Sequence, residues 1–133
     1  MSKSETNLNE EGSKDTKSTK TYDLEERTYQ FAKTVRTFVK TLPRTVSNIE
    51  DVKQIVRSSG SIGANYIEAN DAISRKDFLH RIKICRKESK ESVYFLRLLD
   101  TGDKAEVENR RAALRQESTE IMKIFGAILR KSE

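Results

Sequence analysis

The stretch Gln54–Leu96 reads QIVRSSGSIGANYIEANDAISRKDFLHRIKICRKESKESVYFL, and it decides the fold. Its second half carries a heptad seam: Phe78, Ile82, Cys85, Ser89, Ser92, Leu96 and Leu99 alternate spacings of four and three. That period belongs to a helix presenting one stripe to a partner. Ser89 and Ser92 are a polar break in the seam, while Leu79, Phe95 and Leu98 lie off it and widen the apolar surface. Ser74, with Asp77 three residues on, is the predicted cap. Gly102 is the predicted stop. The first half predicts a second helix ending near Asn70, with Val52, Val56, Ser59, Ile62, Gly63, Tyr66 and Ile67 on its core face. Gly60 and Gly63 each cost roughly 1 kcal/mol of helix propensity relative to Ala. Close approach by another helix would offset that.

Working outward, Ser47 and Glu50 form an S-x-x-E capping box for that second helix. A first helix is predicted from about Tyr22 to Leu42, with Leu24, Phe31, Ala32, Val35, Phe38, Val39 and Leu42 on one stripe. Pro43 stops it, because its ring disfavours helix in the preceding residue. A fourth helix is predicted from Asp103, boxed with Glu106, to the chain end. Its stripe is Val107, Leu114, Ile121, Phe125 and Ile128, broadened by Ile124 and Leu129. Short loops between helices of such length imply an all-α, antiparallel up-down-up-down four-helix bundle over residues 21–133. Several helices are apolar over more than one stripe, which implies contacts between copies.

Residues 1–20 have only Met1 and Leu8 as large apolar side chains and read as a disordered polar tail. The tail's charges cancel, so the formal net charge of +5 over the 133-residue chain belongs to the rest. One Cys excludes an internal disulfide, and one His with one Cys argues against a Cys/His zinc site. No apolar run reaches the ~18 residues of a membrane span, and no secretory signal is evident, so a cytoplasmic location is expected.

The Gln54–Leu96 stretch resembles the bacterial four helix bundle proteins found in intervening sequences of 23S ribosomal RNA genes. The family pattern on the second helix, approximately R-x-x-x-S-I-x-x-N-I-x-E-G, is met by Arg57, Ser61, Ile62, Asn65 and Glu68. Phe78, Leu79 and Glu91 match the third-helix pattern, and Asp23-Leu24 and Leu42-Pro43 its flanks. The chain departs at Ala69, where the family has Gly, and at Lys87 and Glu88, where it has small residues. The resemblance implies a homopentamer with a central channel. Its relatives with a role include accessory proteins of diversity-generating retroelements, which bind nucleic acid and a reverse transcriptase. RNA or DNA and a reverse transcriptase or other protein are therefore the partners it implies. For most of the family no activity is assigned.

Two surfaces stand out. Lys76, His80, Lys83, Lys87 and Lys90, spaced four, three, four and three, share the helix face opposite the seam, flanked by Arg75, Arg81 and Arg86. Such a row can follow phosphates without base specificity. A row of lysines is equally the composition of a solvated face. The second surface is Arg57, Ser61, Asn65 and Glu68, expected as a subunit interface or inter-helix polar network with Glu68 paired to an Arg, such as Arg57 of a neighbouring copy. Tyr66 reads as core, and Tyr29 and Tyr94 suit a bundle interface better than base stacking.

No catalytic, cofactor or metal site is expected. Glu88 and Glu91 lie one turn apart, but a carboxylate-bridged metal centre needs two Glu-x-x-His motifs and the chain has one His. Cys85 lies on the apolar seam with no base to activate it. No Gly-rich phosphate loop or H-E-x-x-H motif is present. The expectation is a non-catalytic nucleic-acid-binding or scaffold protein. A protein-binding adaptor whose charge only solubilises it is the alternative.

Overall fold

The computed structural model describes residues 16–132, with side chains described from Leu24 onward. They form four helices: α1 (Thr16–Val39), α2 (Val46–Asn70), α3 (Arg75–Leu98) and α4 (Ala105–Lys131). There is no strand among the described residues. Each helix packs on its neighbours in sequence, and α1 also meets α4, so the four close into a ring around one core. The α2–α3 seam is the most extensive and the α1–α4 seam the least.

The predicted α1 stripe holds. Leu24, Phe31, Val35, Phe38 and Leu42 are buried, and Val39 packs against them. The helix begins at Thr16, six residues before the predicted start, because a helix anchored by its buried face extends without a second nucleation cost. Residues 1–15 of the polar tail lie outside the described residues; Thr16–Lys20 belong to α1. At the other end α1 stops at Val39. The amides of Thr41 and Leu42 bond to Phe38 and Val39 in a tighter turn leading into Pro43.

The cap of α2 is Thr45 and not Ser47. The Thr45 Oγ1 accepts from the Asn48 amide at 3.1 Å. The reason is long-range. Asn48 is buried and must tie its own α1–α2 loop to the loop after α3: its Nδ2 donates to the carbonyls of Pro43 and Asp100 at 2.8 Å each. Its Oδ1 accepts from the Asp100 amide at 2.9 Å. The buried face of α2 is Ile55, Ser58, Ser59, Ile62, Tyr66 and Ala69. Val52 only borders it, and Ile67 is exposed. Gly63 meets the expected close approach: a Cβ there would lie 2.9 Å from Thr28 Oγ1 on α1.

The α3 seam is buried as predicted from Ile82 to Leu99, and Ser74 caps the helix, accepting from the Asp77 amide at 3.1 Å. The two serines do not break the seam. Ser58 and Ser92 bond hydroxyl to hydroxyl at 2.8 Å, Ser89 donates to Cys85 O, and Ser118 on α4 donates to Ser89 O. Small, internally satisfied side chains let α2, α3 and α4 approach closely at little polar cost.

Gly102 is not the stop of α3, which ends at Leu98, nor does Asp103 cap α4. Both adopt left-handed backbone (φ 71° and 59°) and turn the chain between the helices. Arg111 supplies the missing C-terminal cap. Its Nη1 donates to the carbonyls of Leu96, Arg97 and Leu99, and its Nη2 pairs with Glu108 at 2.8 Å. Glu108 also accepts from Thr101 Oγ1 at 2.8 Å. Bonding to Arg111, then Thr101, holds the Glu108 carboxyl below its usual 4.5. A depressed carboxylate contributes stability above its unfolded pKa and loses it as pH falls through the folded one. The melting temperature of the wild type is therefore expected to fall as pH drops below about 4.5, and Glu108→Gln to flatten that fall. Equal pH profiles for the two proteins would show that this cap does not contribute.

Candidate nucleic-acid interface

The buried seam fixes which way α3 turns its other side. With Ile82, Cys85, Ser89, Ser92 and Leu96 inward, the 100° step places Lys76, His80, Lys83, Lys87 and Lys90 outward, and all five are exposed. Arg75 and Arg86 are exposed beside them. Over the fourteen-residue separation from Lys76 to Lys90 the row spans about 21 Å at 1.5 Å per residue. Among the described residues Lys87 makes the single ion pair of the row, to Glu88 at 3.6 Å. Arg81 departs from the row. It turns to α2 and donates to Asn65 Oδ1 at 2.8 Å.

The second surface lies along the α2–α3 seam. Arg57 bonds to Glu91 at 3.3 Å and approaches Glu88 at 3.7 Å. Asn65 donates to Ser61 O at 2.9 Å and accepts from Arg81. Arg57, Asn65 and Ser61 thus belong to a polar ladder within one chain, joined by Arg81, Glu88 and Glu91. Glu68 stands apart: it is exposed, and no ion pair reaches it among the described residues. The ladder draws the acids next to the lysine row toward α2 and leaves the outer face of α3 basic.

Glu88 is the residue that sequence reasoning missed. It is 5 % exposed, with Oε1 unbonded and Arg57 as its nearest cation on α2. Its position one step before Ser89 on the seam was the available signal, but a Glu amid lysines reads as solvated. Cys85 is buried, its Sγ directed to Ile62 O at 3.5 Å, and burial pushes its thiol up to about 12. A thiol held so far from ionisation is inert as a nucleophile. Among the described residues no group of three or more His, Cys, Asp or Glu is placed to hold a metal ion. No helix among them is long and apolar enough to cross a membrane.

A further tie joins α1 to α4. Arg27 of α1 clamps Glu117 of α4 through two bonds, 2.7 and 2.9 Å, and reaches Glu120 at 2.7 Å. A cleft lined by Phe31, Thr34, Arg110 and Leu114 opens beside this clamp, on the least extensive of the four helix seams.

No curated protein matches this chain significantly. Among solved structures it is similar to a protein of unknown function from the S23 ribosomal protein family of Bacteroides thetaiotaomicron. The two share 33% identity and a TM-score of 0.68, over 80% of this chain and 97% of that one. The 23S rRNA-intervening sequence protein model matches residues 20–127, spanning all of α2 and α3 and most of α1 and α4. With its four-helix architecture and this match, the chain belongs to the 23S rRNA-intervening sequence protein family.

Proposed function

We propose that this chain is a non-catalytic, cytoplasmic nucleic-acid-binding or scaffold factor, a homopentamer of antiparallel four-helix bundles acting through the basic face of α3. The observation that carries the nucleic-acid reading is the exposed row from Lys76 to Lys90, nearly free of ion pairs among the described residues. Cations held on one rigid face can neutralise successive phosphates and release their counterions. Neither the family nor its solved relative indicates a catalytic role, and the inert Cys85 supports the same reading.

The antiparallel order is supported by the inter-helix pairs. Arg57 with Glu91, Asn65 with Arg81 and Asn48 with Asp100 rise along α2 as they fall along α3. A homo-oligomer is supported by Tyr29 and Ile67, which remain about half exposed away from the outer face of α3. If Glu68 contacts a neighbouring copy, Glu68→Ala is expected to lower the light-scattering mass or the melting temperature. Unchanged mass and melting would remove Glu68 from any interface.

The nucleic-acid reading is tested by titrating labelled RNA and DNA with wild type and with Lys76, Lys83, Lys87 and Lys90 all changed to Glu. Binding by wild type and none by the variant, at equal mass, is expected. Failure of wild type to bind either polymer at low salt would leave the row as a solvated face and favour the adaptor.

A further inference from the structure

The basic row does not end at Lys90. On the same outer face the next residues of α3 are Tyr94, Arg97 and Leu98, all exposed. Tyr94 is 55% exposed, and its ring packs edge-on with Phe95, centroids 5.3 Å apart and planes at 78°. That contact orients the ring while about half of it stays open. Lys90, one turn before, and Arg97, nearly one turn after, bracket it with positive charge, and neither makes an ion pair among the described residues. Glu91, three residues before Tyr94, is drawn to Arg57.

We propose that the outer face of α3 binds single-stranded nucleic acid, with phosphates along Lys76–Lys90 and one unpaired base stacked on Tyr94 between Lys90 and Arg97. This rests on the nucleic-acid reading above and adds strand selectivity to it. Lysines contact the phosphates of any strand, paired or not. An exposed aromatic ring finds a free base face only where bases are unpaired, and such stacking tolerates any base. The composition of the face, cations leading to an aromatic, therefore selects single strands without selecting sequence.

The test uses the full chain and three fluorescent probes: oligo-dT of about twelve nucleotides, within the size of a single-strand site, an abasic strand of equal length, and the matching duplex. Wild type is expected to bind oligo-dT about tenfold more tightly than the abasic strand, the size of one base–aromatic stack. Tyr94→Ala is expected to bring oligo-dT down to the abasic level and leave abasic and duplex affinities unchanged. Tyr94→Phe is expected to retain the preference. The exposed position predicts no change in thermal melting. If wild type binds but Tyr94→Ala binds oligo-dT equally well, the stacking site is wrong and the phosphate reading stands. If wild type binds none of the probes, both fall. A lower light-scattering mass for Tyr94→Ala would place Tyr94 between copies and overturn the site.

Discussion

Asn48→Ala is expected to lower stability by about 3 kcal/mol, read as a fall in the urea midpoint with an unchanged slope. The side chain is 2 % exposed and makes three bonds of 2.8–2.9 Å that join the α1–α2 loop to the α3–α4 loop. Truncation strands the carbonyls of Pro43 and Asp100 and the Asp100 amide in a space no larger than the lost amide. Each unsatisfied buried group costs about 1–3 kcal/mol, and partial access of water to the loops keeps the total at the low end of that sum. Asn48→Asp is the sharper variant. It keeps the acceptor for the Asp100 amide but aims a carboxylate at two carbonyls, so it should be no more stable than Ala at neutral pH. Protein concentration must be held fixed, since association would add its own stabilisation. A midpoint for Asn48→Ala equal to wild type would show that the latch contributes nothing.

The largest effect on binding is expected from reversing Lys76, Lys83, Lys87 and Lys90 together. Each change to Glu removes two units of charge from a chain whose formal charge is +5, so the row turns from attractive to repulsive. Loss of four phosphate contacts and gain of four repulsions should weaken binding by a factor on the order of a thousand at low salt. All four side chains point outward, so the melting temperature should change little. The row is opposite the seam and separate from the polar ladder, apart from the 3.6 Å pair between Lys87 and Glu88. Restoring Lys87 in the reversed background checks whether that pair matters to folding.

The sequence carried much of the fold because α3 has one apolar face and a local cap. Ile82, Cys85, Leu96 and Leu99 are where the heptad put them, and Ser74 caps as its position predicts. The boundaries of α2 and α4 were less legible. Ser47 begins the S-x-x-E pattern, yet the cap falls to Thr45 because Asn48 reaches Asp100, a contact across the fold. Asp103 has a cap's composition but takes a left-handed backbone, and the capping of the preceding helix end falls to Arg111, a side chain from the following helix. The register of α2 was ambiguous because Val52, Val56 and Ile67 offer a second apolar stripe beside Ile55, Ile62 and Tyr66. Buried serines and Glu88 escape a reading by residue type, since their burial depends on partners in other helices. The basic row was legible as a face, and its exposure follows from the seam. The pairing of Arg57 with Glu88 and Glu91, and of Asn65 with Arg81, required the neighbouring helix.

The central claim is that the outer face of α3 is a phosphate-binding surface. The most direct measurement is the salt dependence of wild-type binding to single-stranded nucleic acid. Engagement of about five phosphates by the row predicts a slope of log affinity on log salt near −3.5, or roughly a hundredfold loss between 50 and 200 mM. Binding that does not change with salt, or no binding at the lowest salt, would contradict the account and leave the lysines of α3 as a solvated helix face.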